Sequence, residues 1–160
     1  MFKPKATANT VAFLLLGAMM EVEIEHSLTP ERIDQVHAWL QADAWWAVGR
    51  SLEVQRRAMQ ASLNFFASVG SELVGYARVV TDGATFSYLC DVYVPRARRG
   101  HGISRALMHA IMRHEAASVR LFGLKTSSAH GLYQKFGFEE PGPQAASWMQ
   151  VLKQAAATGT

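Results

Sequence analysis

Residues 89–107, LCDVYVPRARRGHGISRAL, run from an apolar strand through an arginine- and glycine-rich loop directly into an amphipathic helix. Glycines let a backbone approach a ligand closely, and the first N–H groups of a helix, aligned with its dipole, favour an anion. The chemistry open to this order of residues is holding a phosphorylated ligand. Arg96, Arg98, Arg99 and Arg105 cluster in and just after the loop. Read blandly they are a solvated basic loop, but a polyphosphate ligand explains them more economically. A nucleic-acid surface would need a broader basic face with interleaved aromatics, so no nucleic-acid partner is expected. The loop is not a Walker A loop, because G-x-x-x-x-G-K-[ST] occurs nowhere in the chain. Nor is it G-x-G-x-x-G, because Arg105 stands where the third glycine would be.

Other residues could act on such a ligand. Asp91 is an acid inside an otherwise apolar strand, where burial would raise its pKa and make it a proton acceptor. The alternative is a carboxylate paired with an arginine such as Arg78. His130 and Asp82 are weaker candidates for the same task. Cys90, with Tyr88, Leu89 and Val92 near it in the strand, reads as an inert buried thiol. Trp45, Trp46 and Arg50 sit in one glycine-containing connection. There aromatic faces can hold an amine and a guanidinium can bind a carboxylate. Otherwise the indoles pack in the core and Arg50 is a surface residue.

Two stretches together resemble the GNAT N-acetyltransferases. Arg99-Gly100-His101-Gly102-Ile103-Ser104 is similar to the family's acetyl-CoA loop, [QR]-x-x-G-x-[GA], with Ser104 at the last small position. Ala129-His130-Gly131-Leu132-Tyr133-Gln134-Lys135-Phe136-Gly137-Phe138 is similar to the A-x-x-L-Y-x-K-x-G-F ending of its fourth helix. The resemblance implies an α/β fold with a mixed, mostly antiparallel sheet of about seven strands and helices on both faces. It also implies that the fourth and fifth strands splay apart to admit the cofactor's pantetheine arm. Acetyl-CoA is the implied co-substrate and no metal is implied. Backbone groups of Val92, Tyr93 and Val94 would meet the pantetheine. The amides of Arg99, Gly100, His101, Gly102, Ile103 and Ser104 would meet the pyrophosphate, with Arg98 or Arg99 adding charge. Thr126 stands where an asparagine is common, and Ala129 and Tyr133 follow it on the cofactor side. Tyr133 would donate a proton to the leaving thiolate, as a phenol with an ordinary pKa near ~10 can; it also fits an apolar stripe with Ala129, Leu132 and Phe136. Gly131, in mid-helix, points to something packed close by, either the cofactor or a neighbouring strand. The acceptor is expected to be a small-molecule amine bound near Trp46, Arg50, Arg78 and Asp91. A noncatalytic acyl-CoA sensor on the same fold is the competing reading.

The elements that must position these residues follow from hydrophobic period. Residues 21–26 alternate as a first strand, and Thr29-Pro30 caps a first helix with Ile33, Val36 and Leu40 on one stripe. A second helix follows over about 52–62. Strands are expected over 64–69, 73–81 and 85–94, with Asp82-Gly83 as a hairpin turn. The helix after the loop aligns Ile103, Ala106, Leu107, Ala110 and Ile111. A fifth strand falls over 119–124, and Thr126 or Ser127 caps a fourth helix that stops at Gly137. Phe138 and residues 148–152 are expected to form a closing hairpin. With 160 residues, 18% charged and 49% hydrophobic, the chain fits one folded domain. Its single cysteine excludes an internal disulfide and a multi-cysteine zinc site, and fits a reducing cytoplasm. The apolar run 11–20 is too short to span a membrane. Residues 1–20 therefore read as an N-terminal extension or an upstream start, with Met19 or Met20 as the true first residue, ahead of a domain over 21–153 and a frayed tail over 154–160. No membrane partner is expected, and the chain should be a monomer or homodimer.

Overall fold

The computed structural model describes residues 9–15, 18–142 and 149–150. Six strands form one sheet in the order β1 to β6: Asn9–Leu15, Ala18–Glu25, Leu63–Val69, Glu72–Thr81, Phe86–Tyr93 and Leu121–Leu124. Neighbours pair antiparallel except β5 and β6, which run parallel across the connection through helix α3, Ile103–Arg113. The expected count of about seven becomes six among the described residues. The closing hairpin lies largely outside them, and Phe138 instead packs edge-on against Phe122 and Tyr133. The described part of the apolar run assigned to an extension pairs as β1 and the start of β2, from Ala18 rather than Glu21, with β1 at the edge of the sheet.

Local chemistry explains the helix starts. Thr29 Oγ1 accepts the Arg32 amide at 3.3 Å and Pro30 opens α1, Pro30–Asp43, which buries Ile33, Val36 and Leu40. Ser51 Oγ accepts the Val54 amide at 3.3 Å to open α2, Leu52–Gln60. Helix α4 is shorter than expected, His130–Gln134. Thr126 Oγ1 accepts the amides of Ser128 and Ala129, which makes a turn ahead of the helix and delays its start. The expected hairpin turn forms, with Asp82 Oδ1 accepting the amides of Ala84, Thr85 and Phe86.

Helices cover both faces of the sheet. On one face Ala77, Val79, Leu89 and Val94 pack with Ile103, Leu107 and Ile111 of α3 and with Tyr133 of α4. On the other, Phe66, Tyr76 and Tyr93 pack with Val36 and Leu40 of α1 and Met59 of α2. Gly75 decides how close α3 can lie: a Cβ there would stand 2.8 Å from Ile103 Cγ2 and 3.2 Å from Leu107 Cδ1. Among the described residues no helix is long and apolar enough to cross a membrane.

Candidate active site

The site begins where β5 and β6 part. Their parallel pairing runs from Phe86↔Leu121 to Leu89↔Leu124 and stops there, while β5 continues to Tyr93. Just past the last pair, Asp91 and Val92 stand opposite Ala77 alone, because Tyr76 pairs Tyr93 and Arg78 pairs Cys90. This is a β-bulge, and Asp91 takes the left-handed φ of 49° that its extra residue requires. A bulge withdraws backbone groups from the ladder and re-aims side chains. Here it lies where β6 no longer covers β5.

After β5, Gly100 and Gly102 adopt φ of 82° and 76°, and Gly102 opens α3 without a side-chain cap. The first-turn N–H groups of α3, beginning at Ile103, have no intrahelical acceptor, and the helix dipole adds positive potential there. The Ile103 side chain itself is buried in the core, so only its backbone can face a ligand. Ser104 is half-buried on the same turn, and His101 is exposed with Nδ1 donating to the Arg98 carbonyl. In this structure the loop arginines Arg96, Arg98 and Arg99 are tied to carboxylates. Arg98 makes a two-point pair with Glu72. Arg99 donates from Nε to the Val94 carbonyl at 2.9 Å and from Nη2 to Asp43 Oδ2 at 3.2 Å, and lies over the Tyr93 ring. Arg96 Nε reaches the same Asp43 oxygen at 2.6 Å. The Val94 carbonyl is thus already occupied, whereas Val92 is half-buried and Tyr93 is buried against Trp39. Burial, and then the Asp43 carboxylate beside it, pushes the Tyr93 phenol up to about 12.

At the end of β6 lies a cavity of about 210 Å³, lined by Leu124, Lys125, Thr126, His130, Tyr133 and the segment from Phe138 to Pro141. Tyr133 is buried, and burial raises its phenol above the ordinary value. Ala129 is half-buried and its carbonyl accepts the Tyr133 amide. A Cβ at Gly131 would meet no heavy atom within 4 Å, which removes the neighbouring strand as the reason for that glycine.

On the opposite face of β5, Asp91 holds two arginines. Arg50 Nη1 lies 2.7 Å and Arg78 Nε 2.8 Å from Asp91 Oδ2. Arg50 Nη1 also donates to Gln55 Oε1 at 2.7 Å, and Arg78 Nη1 to Ser62 Oγ at 3.1 Å. Burial alone would raise the Asp91 pKa, but the Arg50 hydrogen bond and the Arg78 charge outweigh it and hold the carboxyl below the ordinary range. The expectation of a raised, base-like pKa is therefore reversed, and the arginine-paired reading is the one observed. Asp82, the weaker candidate, has its carboxylate committed to its own turn. Arg50 is not a loose surface residue: the His37 ring donates to its carbonyl at 2.9 Å, and Gln41 brackets the connection through the Ala47 carbonyl and the Gly49 amide. Trp46 is 43% exposed and Trp45 69%, stacked edge-to-face at 5.9 Å, so neither indole is a core residue.

A model of the acetyltransferase (GNAT) domain matches residues 61–140, half of the chain, spanning the bulge, the glycine loop and Tyr133. The chain belongs to the GNAT acetyltransferase family. A protein of Xanthomonas campestris pv. campestris, described in its crystal structure as belonging to the same family, is 38% identical. It superposes with a TM-score of 0.77 over 86% of this chain and 97% of that one. A Clostridium acetobutylicum structure, described as an acetyltransferase with acetyl-CoA, shares the fold at a TM-score of 0.62 over 82% of this chain and 96% of that one, with 13% identity. A Gibberella zeae protein named as an acetyltransferase is 28% identical over 99 residues, which cover 50% of this chain and 56% of that protein. The chain thus spans little more than half the length of that curated relative.

Four residues of this GNAT site escaped the sequence reading. Asp43 and Glu72 hold the loop arginines, Gln55 supports Arg50, and Gly75 lets α3 approach. Two carried a signal. Asp43 is an acid in the last turn of a helix, the wrong sign for the dipole and hence a sign of a partner elsewhere. Gly75 is a glycine in mid-strand, which marks a close approach.

Proposed function

We propose that this chain is an acetyl-CoA-dependent N-acetyltransferase that passes the acetyl group to the amine of a small acceptor. The observation that carries the reading is the arrangement around the parted strands: the bulge at Asp91 and Val92 on β5, and Tyr133 beside the cavity at the end of β6. The relative fold solved with acetyl-CoA supports it. Amides of residues 99–104 receive the pyrophosphate, and backbone of Val92 and Tyr93 holds the pantetheine arm in the parting. Arg98 and Arg99 reach the phosphates only by exchanging Glu72 and Asp43 for them. The amine nitrogen attacks the thioester carbonyl, a C–N bond forms and the C–S bond breaks. Tyr133, protonated across the neutral range, gives its proton to the departing sulfur. Asp91 holds two guanidiniums rather than taking the amine's proton, which passes to water. The single cysteine agrees with a reducing cytoplasm as the place of action.

The test is release of free CoA thiol from acetyl-CoA in the presence of a panel of amines, with wild type and Tyr133→Phe. Turnover with at least one amine, reduced by about 10²-fold or more in the variant with acetyl-CoA affinity kept, is the expected result. Acetyl-CoA binding without turnover of any amine would favour an acyl-CoA sensor instead.

A further inference from the structure

The acceptor face of β5 carries more positive charge and more hydrogen-bond donors than its own residues satisfy. Asp91 is one carboxylate between two guanidiniums, Arg50 and Arg78, with side-chain exposures of 3%, 19% and 12%. Among the described residues, the titratable groups Tyr76 and Cys90 also interact with this cluster. Burial raises both, so the phenol and the thiol stay neutral at pH 7 and the cluster holds a net charge of about +1. A guanidinium has five N–H donors in a planar fork. Among the described residues, Arg50 uses three of its donors and Arg78 two. Gln55 adds an independent sign of the same imbalance. It is fully buried, its Oε1 accepts from Arg50, and among the described residues its Nε2 has no hydrogen-bond partner. Buried donors without acceptors are rare because each costs free energy, so one in a native fold calls for an acceptor from elsewhere.

We propose that the acceptor amine of this enzyme carries a carboxylate, received by Arg50 and Arg78, so that the substrate class is small amino acids and their close analogues. This rests on the acetyltransferase reading above. A planar carboxylate matches the guanidinium fork, neutralises the residual charge and brings acceptor oxygens to donors the protein leaves unused. Arg50 is fixed before any ligand arrives, by His37 and Gln41 from α1 and by the Ser51-capped start of α2, which lowers the ordering cost of binding. The half-exposed Trp46 lies four residues before Arg50 on the same connection, where it can cover the apolar part of such a substrate.

The test uses matched sets that differ only at the carboxyl: leucine, leucinamide and isoamylamine; phenylalanine, phenylalaninamide and phenethylamine. Acetylation is followed by CoA release with the full chain, and binding by calorimetry in the presence of CoA. The acids are expected to exceed their amides and decarboxylated amines by about tenfold or more in kcat/KM or in affinity. Arg50→Gln should bring that ratio towards one, and Arg50→Lys should restore part of it, with acetyl-CoA affinity serving as the check that both variants fold. A wild type that prefers neither form, or prefers the amines without a carboxylate, overturns the proposal, as does a ratio unchanged in Arg50→Gln. If acetyl-CoA itself fails to bind, the acetyltransferase reading falls, whereas acetyl-CoA binding with amine turnover but no carboxylate preference removes this inference alone.

Discussion

Asp91 and Tyr133 show how environment assigns roles to two titratable residues flanking one strand gap. Asp91 was legible as an unusual acid in an apolar strand, and Arg78 on the neighbouring strand as a partner for it, but Arg50 as a second partner was not, because it lies 41 residues away and only the fold brings it near. Its lowered pKa contributes stability that is present above the ordinary aspartate value near ~3.9 and is lost as pH falls through the folded value. Tyr133 is raised by burial, so it keeps its proton to above the ordinary ~10. Neither group titrates between about pH 5 and 9. The pH dependence of kcat/KM in that window is therefore expected to follow the acceptor's own ammonium pKa and to move when acceptors of different basicity are compared. One fixed apparent pKa for all acceptors would require a protein base that this account lacks. The Tyr133→Phe loss of about 10²-fold in kcat belongs to the same scale.

At the scale of elements, the glycine loop works because α3 can lie close to β4. Gly75→Ala would place a methyl 2.8 Å from Ile103 Cγ2 at the first residue of that helix, and the neighbour is packed core rather than a flexible tip. We expect about 1–3 kcal/mol lower stability by denaturant unfolding, and weaker acetyl-CoA binding as the helix start shifts. Unchanged stability and affinity would mean that the helix has slack the packing does not show. The order of strands and helices from Glu21 to Gln134 was readable from alternation, caps and turn residues, since those signals are local. Helix α4 was over-extended because Thr126 looks like a cap in sequence and acts as a turn in space. The loop arginines were read as ligand donors because charge alone is visible in sequence. Their carboxylate partners on β4 and α1 lie 26 residues or more away.

For the whole molecule, the two cores on either side of the sheet join the proposed acceptor face, built by α1 and α2, to the proposed cofactor face, built by α3 and α4. Stability is also tied to pH through a histidine pair at one end of the sheet. His114 and His26 stand 5.9 Å apart around Phe65, and burial, followed by the His26 charge, lowers the His114 pKa. Above about pH 6.5 both folded and unfolded chains hold His114 neutral; below it the unfolded chain takes the proton first, so stability falls with pH until the folded value is reached. Melting temperature should decline from pH 7.5 to 5.5, and His114→Asn should flatten that decline; an equal slope in the variant would remove His114 as its source. The central claim is that the loop after β5 receives the phosphates of acetyl-CoA. Titration calorimetry with acetyl-CoA on wild type and Gly102→Glu tests it most directly, because glutamate at a φ of 76° both strains the turn and sets a negative charge at the helix start. Micromolar binding by wild type, lost in a variant that still melts cooperatively, is the predicted result. Absence of binding by wild type at millimolar acetyl-CoA, or equal affinity in the variant, would contradict it.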